Sequence, residues 1–201
     1  MEFADLVRRR RMTRAFADRA VDSGLLDRVL DRARRVPSAG NSQGVDFVVL
    51  EGPEQTRRYW DVTMPPQRRD GFRWQRLFAA PVVITIWADP ARYVERYGEH
   101  DKERTGLGAD AASWATPYWL VDASFAAMAL QYAAIDEGLG VLFFGMFDHA
   151  DAVAAALGVP ADKVPVGTVA LGWPDASLDE PGRSTNRARR PLAEVVHRGG
   201  W

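Results

Sequence analysis

At 201 residues the chain has about one domain's worth of length, enough to bury roughly 70% of the surface of its unfolded form around one core. Hydrophobic residues at 47% and charged residues at 26% sit at the globular average, which excludes disorder, a collagen-like repeat and a coiled coil. A formal charge of -1 offers no bulk attraction to nucleic acid or an anionic membrane, and the absence of cysteine removes disulfides and thiolate catalysis, so any redox chemistry must be borrowed from a cofactor. The N-terminus MEFADLVRRRRMTRAF has no long apolar stretch, and no apolar run reaches the roughly 20 residues needed to span a bilayer. A cytoplasmic protein with no membrane partner is the expectation.

In chain order, Phe3 to Arg11 carries Phe3, Leu6 and Val7 at helical spacing, and a second helix runs from Ser23 through Leu26, Val29, Leu30 and Ala33, capped by Asp22 or Ser23. The PSAG at Pro37 to Gly40 breaks it. Asp46 to Leu50 reads as a buried strand ended by Glu51-Gly52-Pro53, with a short helix over Gln55 to Trp60. Pro81 to Trp87, β-branched and closed by Asp89-Pro90, is the strongest strand signal and is predicted to be central. Arg92 to Thr116 is charged, aromatic and glycine-punctuated, and reads as a partly helical excursion over the surface rather than core. Tyr118 to Glu137 is apolar almost all round, which predicts a buried helix stopped by Gly138. Gly140 to Phe144 is a further strand, Asp148 to Leu157 a capped helix, and Val166 to Gly172 the last core strand. The tail from Pro174 to Trp201 has too few apolar residues for a core of its own. About four strands between helices of unequal length predict an α+β or mixed α/β fold in a single domain over residues 1–201.

Charge gathers at the two ends: Arg8, Arg9, Arg10, Arg11 and Arg14 near the start, and Arg183, Arg187, Arg189 and Arg190 near the finish. Arginine forks match phosphate oxygens bidentately, although an arginine run taken alone is more often a solvated helix face. Here Arg10, Arg11 and Arg14 stand at a helix end, where guanidiniums three or four residues apart can converge on one anion. The stretch RRMTRAF resembles the phosphate-binding start of the nitroreductase family, usually Arg-Arg-Ser-x-Arg-x-Phe, with Met12 in place of the serine. PSAGNSQ, Pro37 to Gln43, is similar to the family's Pro-Ser-x-x-Asn-x-Gln loop, though Gly44-Val45 follows where members normally have Pro-Trp. The asparagine that many members place ahead of the central strand is absent, Gly71-Phe72-Arg73-Trp74 standing there instead. GLGVLFFGMFD, Gly138 to Asp148, and RARRPLAEVVH, Arg187 to His197, resemble the family's flavin-facing strand and its C-terminal cationic segment.

That resemblance implies a nitroreductase-like fold, a mostly antiparallel central sheet flanked by helices, working as a homodimer with FMN at the interface. It implies that Arg10, Arg11, Met12, Arg14, Arg187 and Arg189 surround the phosphate, which brings the chain ends together. Pro37, Ser38, Ala39, Asn41 and Gln43 would line the flavin of the other subunit, and the backbone at Gly145 and Met146 would approach flavin N5. No protein side chain is expected to be catalytic, because the flavin N5 carries the chemistry. The implied activity is ping-pong: NADH or NADPH reduces FMN, and a small-molecule electron acceptor, a nitroaromatic, quinone or enone, takes the electrons. Trp114, Tyr118, Trp119 and Phe144 are candidates for the substrate pocket, as rings that stack on a flat acceptor; the alternative reading of the tryptophans is core. Alternatives are a relative with other flavin chemistry, such as flavin fragmentation or dehalogenation, and a non-catalytic flavin- or deazaflavin-binding protein.

Other motifs carry less. Gly106 to Ala111 spells GxGxxA but follows the charged RYGEHDKERT rather than a strand. His100, His149 and His197 lack metal-ligand spacing, so no metal is expected. Ser38 and Ser42 have no nucleophile-elbow context, and a nucleic-acid partner is disfavoured by the net charge.

Overall fold

The computed structural model describes residues 1–201. Strand β2 (Val82–Ala88) is buried at every position, and its side chains alternate between two cores: Val82, Ile84 and Ile86 on one face, Val83 and Trp87 on the other. A strand apolar on both faces belongs in the interior of a covered sheet. It pairs antiparallel with β1 (Val45–Glu51) and with β4 (Val164–Gly172), and β3 (Gly140–Phe144) completes the order β1-β2-β4-β3, antiparallel throughout. Helices α2 (Ser23–Ala33) and α6 (Tyr118–Asp136) cover one face through Leu26, Val29, Leu130 and Ala134. Helices α3 (Gly52–Thr63) and α7 (Ala150–Leu157) cover the other through Tyr59, Trp60 and Val153. The α+β class, the antiparallel sheet flanked by helices and the central β2 are as the sequence predicts. No helix is long and apolar enough to cross a membrane.

Local residue chemistry sets several boundaries. The Asp22 carboxylate accepts the Leu25 N–H at 3.0 Å and starts α2. Gly138, at φ +83°, ends the α6 segment in the left-handed conformation that glycine adopts without a Cβ penalty.

Four expectations need correction. Helix α1 (Phe3–Arg9) stops before Arg10, so Arg11 and Arg14 lie on extended chain. Helix α3 starts at Gly52, because Pro53 is preorganised for a first helical turn rather than closing the strand. Asp148 does not cap α7; it lies in a 3-10 turn over Phe147–His149, and the cap position, His149, makes no side-chain hydrogen bond there. The segment 92–116 is not merely a cover. Capped by Asp89, α5 (Pro90–Tyr97) points Tyr93 inward, and Tyr93 and Trp114 form a third apolar cluster with Ala88, Trp119 and Ala123. The charges around them hid that inward face. Helix α4 (Pro66–Arg69) is a single turn on the way to β2.

Candidate functional site

After β4 the chain doubles back along residues 13–17. Thr13 N–H donates to Val141 O at 2.8 Å, Ala17 N–H to Trp173 O at 2.9 Å and Asp175 N–H to Ala15 O at 3.0 Å, while Phe16 and Pro174 form an isolated antiparallel bridge. This pairing carries the C-terminal arginines to the N-terminal ones. Between them opens a cleft of about 660 Å³ lined by Arg10, Arg11, Met12 and Arg14 from one end, Asp179, Gly182, Arg183, Ser184, Arg187 and Arg189 from the other, and Trp74. Of its six arginines only Arg11 is ion-paired, with Asp179 at 3.0 Å. Arg14 lies with its guanidinium 5.1 Å from the Trp74 ring centroid and donates to Met12 O at 3.1 Å. Gly182 packs so closely on that guanidinium that a Cβ would stand 2.7 Å from an Arg14 nitrogen. Arg190 is not in the cleft; it turns to Glu194.

A second cavity, about 360 Å³, adjoins the first and shares Arg14 and Trp74 with it. Its walls are Tyr59, Trp60, Phe72, Phe78, Leu142, Phe144 and the Gly145–Met146 turn. Trp60 and Phe144 lie parallel at 6.1 Å, and Phe78 meets Trp60 edge-on at 5.1 Å. Burial pushes the Tyr59 hydroxyl up to about 12. At the rim, Phe147 has φ +50° and is 81% exposed. A non-glycine residue in that region carries backbone strain.

The loop Pro37–Gln43 lines neither cavity of its own chain; Asn41 and Gln43 border a polar depression with Arg92 and Arg96. Its shape is fixed from below. Asp122 of α6, 3% exposed, accepts the Ala39 N–H and the Tyr93 hydroxyl, each at 2.8 Å on one oxygen. Arg96 donates to Gly40 O at 2.8 Å, and Ser38 Oγ accepts the Gln43 N–H at 3.0 Å. Gly40, Asn41 and Gln43 all have positive φ. Burial, and then the Asp122 carboxylate, raise the Tyr93 hydroxyl far above the usual phenol range, so it remains a donor.

The sequence candidates are thus divided. Arg10, Arg11, Met12, Arg14, Arg187 and Arg189 converge, and Gly145, Met146 and Phe144 line the adjoining cavity. Trp114 and Trp119 do not join them: each is 8% exposed and packed edge-on against Tyr93, and the Trp114 indole N–H donates to Leu107 O at 2.9 Å. Their core reading is the one the structure bears out, leaving Tyr118, 43% exposed, as the accessible ring of the three. Asp179, Asp122, Tyr93 and Trp74 went unremarked as site residues. Asp179, one of several acids in a polar tail, carries no sequence signal, whereas Asp122, the only acid between Tyr118 and Ile135 of an apolar helix, does.

A model of the nitroreductase family matches residues 7–173. The chain belongs to that family. It is 29% identical over 205 residues to a 5,6-dimethylbenzimidazole synthase of Rhodospirillum rubrum, covering 96% of this chain and 85% of that protein. It is 28% identical over 202 residues to an NADH dehydrogenase of Thermus thermophilus, covering 94% and 91%. The crystal structure of a nitroreductase-like protein from Streptococcus mutans shares the fold, with a TM-score of 0.76 at 18% identity over 98% of this chain and 97% of that one. As a nitroreductase the chain is an oxidoreductase. The family match stops before the tail, so the cationic half of the cleft from Arg183 onward is assigned by the fold. The replacement of the family's Pro-Trp also has a local reason. A Cβ on Gly44 would stand 2.6 Å from the Tyr93 ring and 2.8 Å from Asp89 O.

Proposed function

We propose that this nitroreductase is an FMN-dependent NAD(P)H:acceptor oxidoreductase that works as a homodimer. The observation that carries the reading is the junction of an arginine cleft with an aromatic-lined cavity through two shared residues, Arg14 and Trp74. The donor set fits the group. Five guanidiniums without a carboxylate partner call for a multiply charged anion, and a phosphate joined by a short polar chain to a planar ring system spans a cationic and an aromatic compartment. When bound, FMN supplies two-electron redox chemistry between a nicotinamide donor and an oxidised acceptor.

The protein's own contribution is binding, orientation and exclusion of water. Arg10, Arg14, Arg183, Arg187 and Arg189 hold the phosphate end. Trp60, Trp74 and Phe144 bound the apolar slot, whose lining keeps the dielectric low and strengthens each remaining charge interaction. The Gly145–Met146 turn presents main chain to the slot, and Phe147 stands at its mouth as a free ring for a flat acceptor such as a nitroaromatic, a quinone or an enone. The dimer is supported by α6, which exposes the large apolar side chains Tyr118, Phe125 and Met128 on one stripe. It is supported too by the loop 37–43, preshaped yet remote from both cavities of its own chain.

The test is the visible spectrum of the protein purified with FMN, followed by anaerobic addition of NADPH or NADH. Flavin bands that bleach, and return when a quinone is added, support the proposal; failure to reconstitute with FMN overturns it. A second reading, flavin fragmentation, is favoured by the likeness to the dimethylbenzimidazole synthase. It would show as flavin bands that bleach and, once oxygen is admitted, are lost instead of restored.

A further inference from the structure

Asp179 is the one acidic residue lining the arginine cleft, and its side chain is 2% exposed. One carboxylate oxygen accepts the backbone N–H of Arg14 at 2.6 Å and that of Ala15 at 3.1 Å; the other meets the Arg11 guanidinium at 3.0 Å. By charge alone a carboxylate here weakens the attraction for a phosphate. Its geometry does the opposite. The two main-chain bonds fix the backbone from which Arg14 reaches the cleft, and they pin the tail three residues before Gly182, the glycine that seats the Arg14 guanidinium. The same anchor holds Arg183, Arg187 and Arg189 opposite three N-terminal cations that would otherwise repel them.

We infer that Asp179 is a positioning residue for phosphate recognition: its carboxylate clamps the C-terminal tail onto residues 14–15 so that arginines from both chain ends converge on one anion. This rests on the reading of the cleft as the phosphate site of FMN. It also separates two roles of the same side chain. Asp179→Asn keeps an oxygen acceptor for the Arg14 and Ala15 amides and removes the negative charge, whereas Asp179→Ala removes both. A carboxylate acting only through charge would give tighter phosphate binding in both variants. A clamp gives weaker binding in the alanine variant and rescue by asparagine.

The experiment titrates the full-length protein and both variants with FMN and with riboflavin, which lacks the phosphate, and follows amide hydrogen exchange at Arg14 and Ala15. Loss of bonds to a charged acceptor predicts that Asp179→Ala reduces the preference for FMN over riboflavin about tenfold or more, with faster exchange at both amides. Asp179→Asn should retain the preference and the protection. Equal or tighter FMN binding by Asp179→Ala, unchanged exchange in it, or an equal loss in Asp179→Asn overturns the inference. If the unmodified protein does not prefer FMN to riboflavin, the phosphate reading itself fails and takes the ligand half of the inference with it. The exchange rates then decide the clamp alone.

Discussion

Replacing Tyr93 by phenylalanine isolates one hydrogen bond beneath the loop 37–43. The ring is 0% exposed and packs edge-on against Trp114 at 5.8 Å and Trp119 at 6.1 Å, so Tyr93→Phe leaves the apolar contacts in place and creates no cavity. What it removes is a 2.8 Å bond to Asp122, a carboxylate 3% exposed whose remaining hydrogen-bond donor is the Ala39 N–H. Hydrogen bonds to charged groups contribute about 1.5–3 kcal/mol, and the group left behind bears a desolvation cost. We expect a loss of about 2 kcal/mol, which for a chain of this size lowers Tm by roughly 4–8 °C. The assay is urea and thermal unfolding followed by far-UV circular dichroism, with an unchanged denaturant slope showing that the transition is the same one. Repeating the substitution in an Asp122→Ala background closes a double-mutant cycle, where its cost should fall to about 0.5 kcal/mol or less. An equal cost in both backgrounds, or no loss in the first, would show that the bond does not hold this region together.

Arg14→Glu places a carboxylate between the two cavities, and about hundredfold weaker FMN binding is expected; flavin content unchanged after purification would defeat the phosphate assignment. Phe125→Glu puts a charge on the exposed stripe of α6, and sedimentation should report a monomer, whereas an intact dimer would exclude that stripe as the interface. Tyr59 titrates near 10 when unfolded but near 12 when folded, so above pH 10 the unfolded state releases a proton that the folded state retains. Stability should therefore be complete below pH 10 and fall by up to about 1.4 kcal/mol per pH unit between pH 10 and 12. Tyr93, also held above the usual phenol range, adds to the same limb, so Tyr59→Phe should make the alkaline slope shallower without abolishing it, and an unchanged slope would exclude Tyr59 as a contributor.

Local patterns were enough to read the strands. Val82 to Ala88, β-branched and closed by Asp89-Pro90, could only be an interior strand, because burial on both faces erases polar alternation. The apolar composition of Tyr118 to Asp136 marked the buried helix in the same way, and Gly138 its end. RRMTRAF and PSAGNSQ carried the family resemblance because they hold particular residue types at fixed spacing within a few neighbours. Other features lay beyond any window of sequence. Tyr93 was hidden because charged neighbours solvate the outer face of α5 while one ring turns inward. Trp114 and Trp119 offered rings that ordinarily suit a core but could also stack on a ligand, and only the packing on Tyr93 decided between the two. The clamp of Asp179 on Arg14 joins residues 165 positions apart; its geometry exists only once β4 returns the tail to the start of the chain. Sequence determined what each segment is, since periodicity, caps and turn residues act over a few neighbours. Tertiary structure decided which segments share a site, because a buried carboxylate gains its meaning from the donors that folding brings to it.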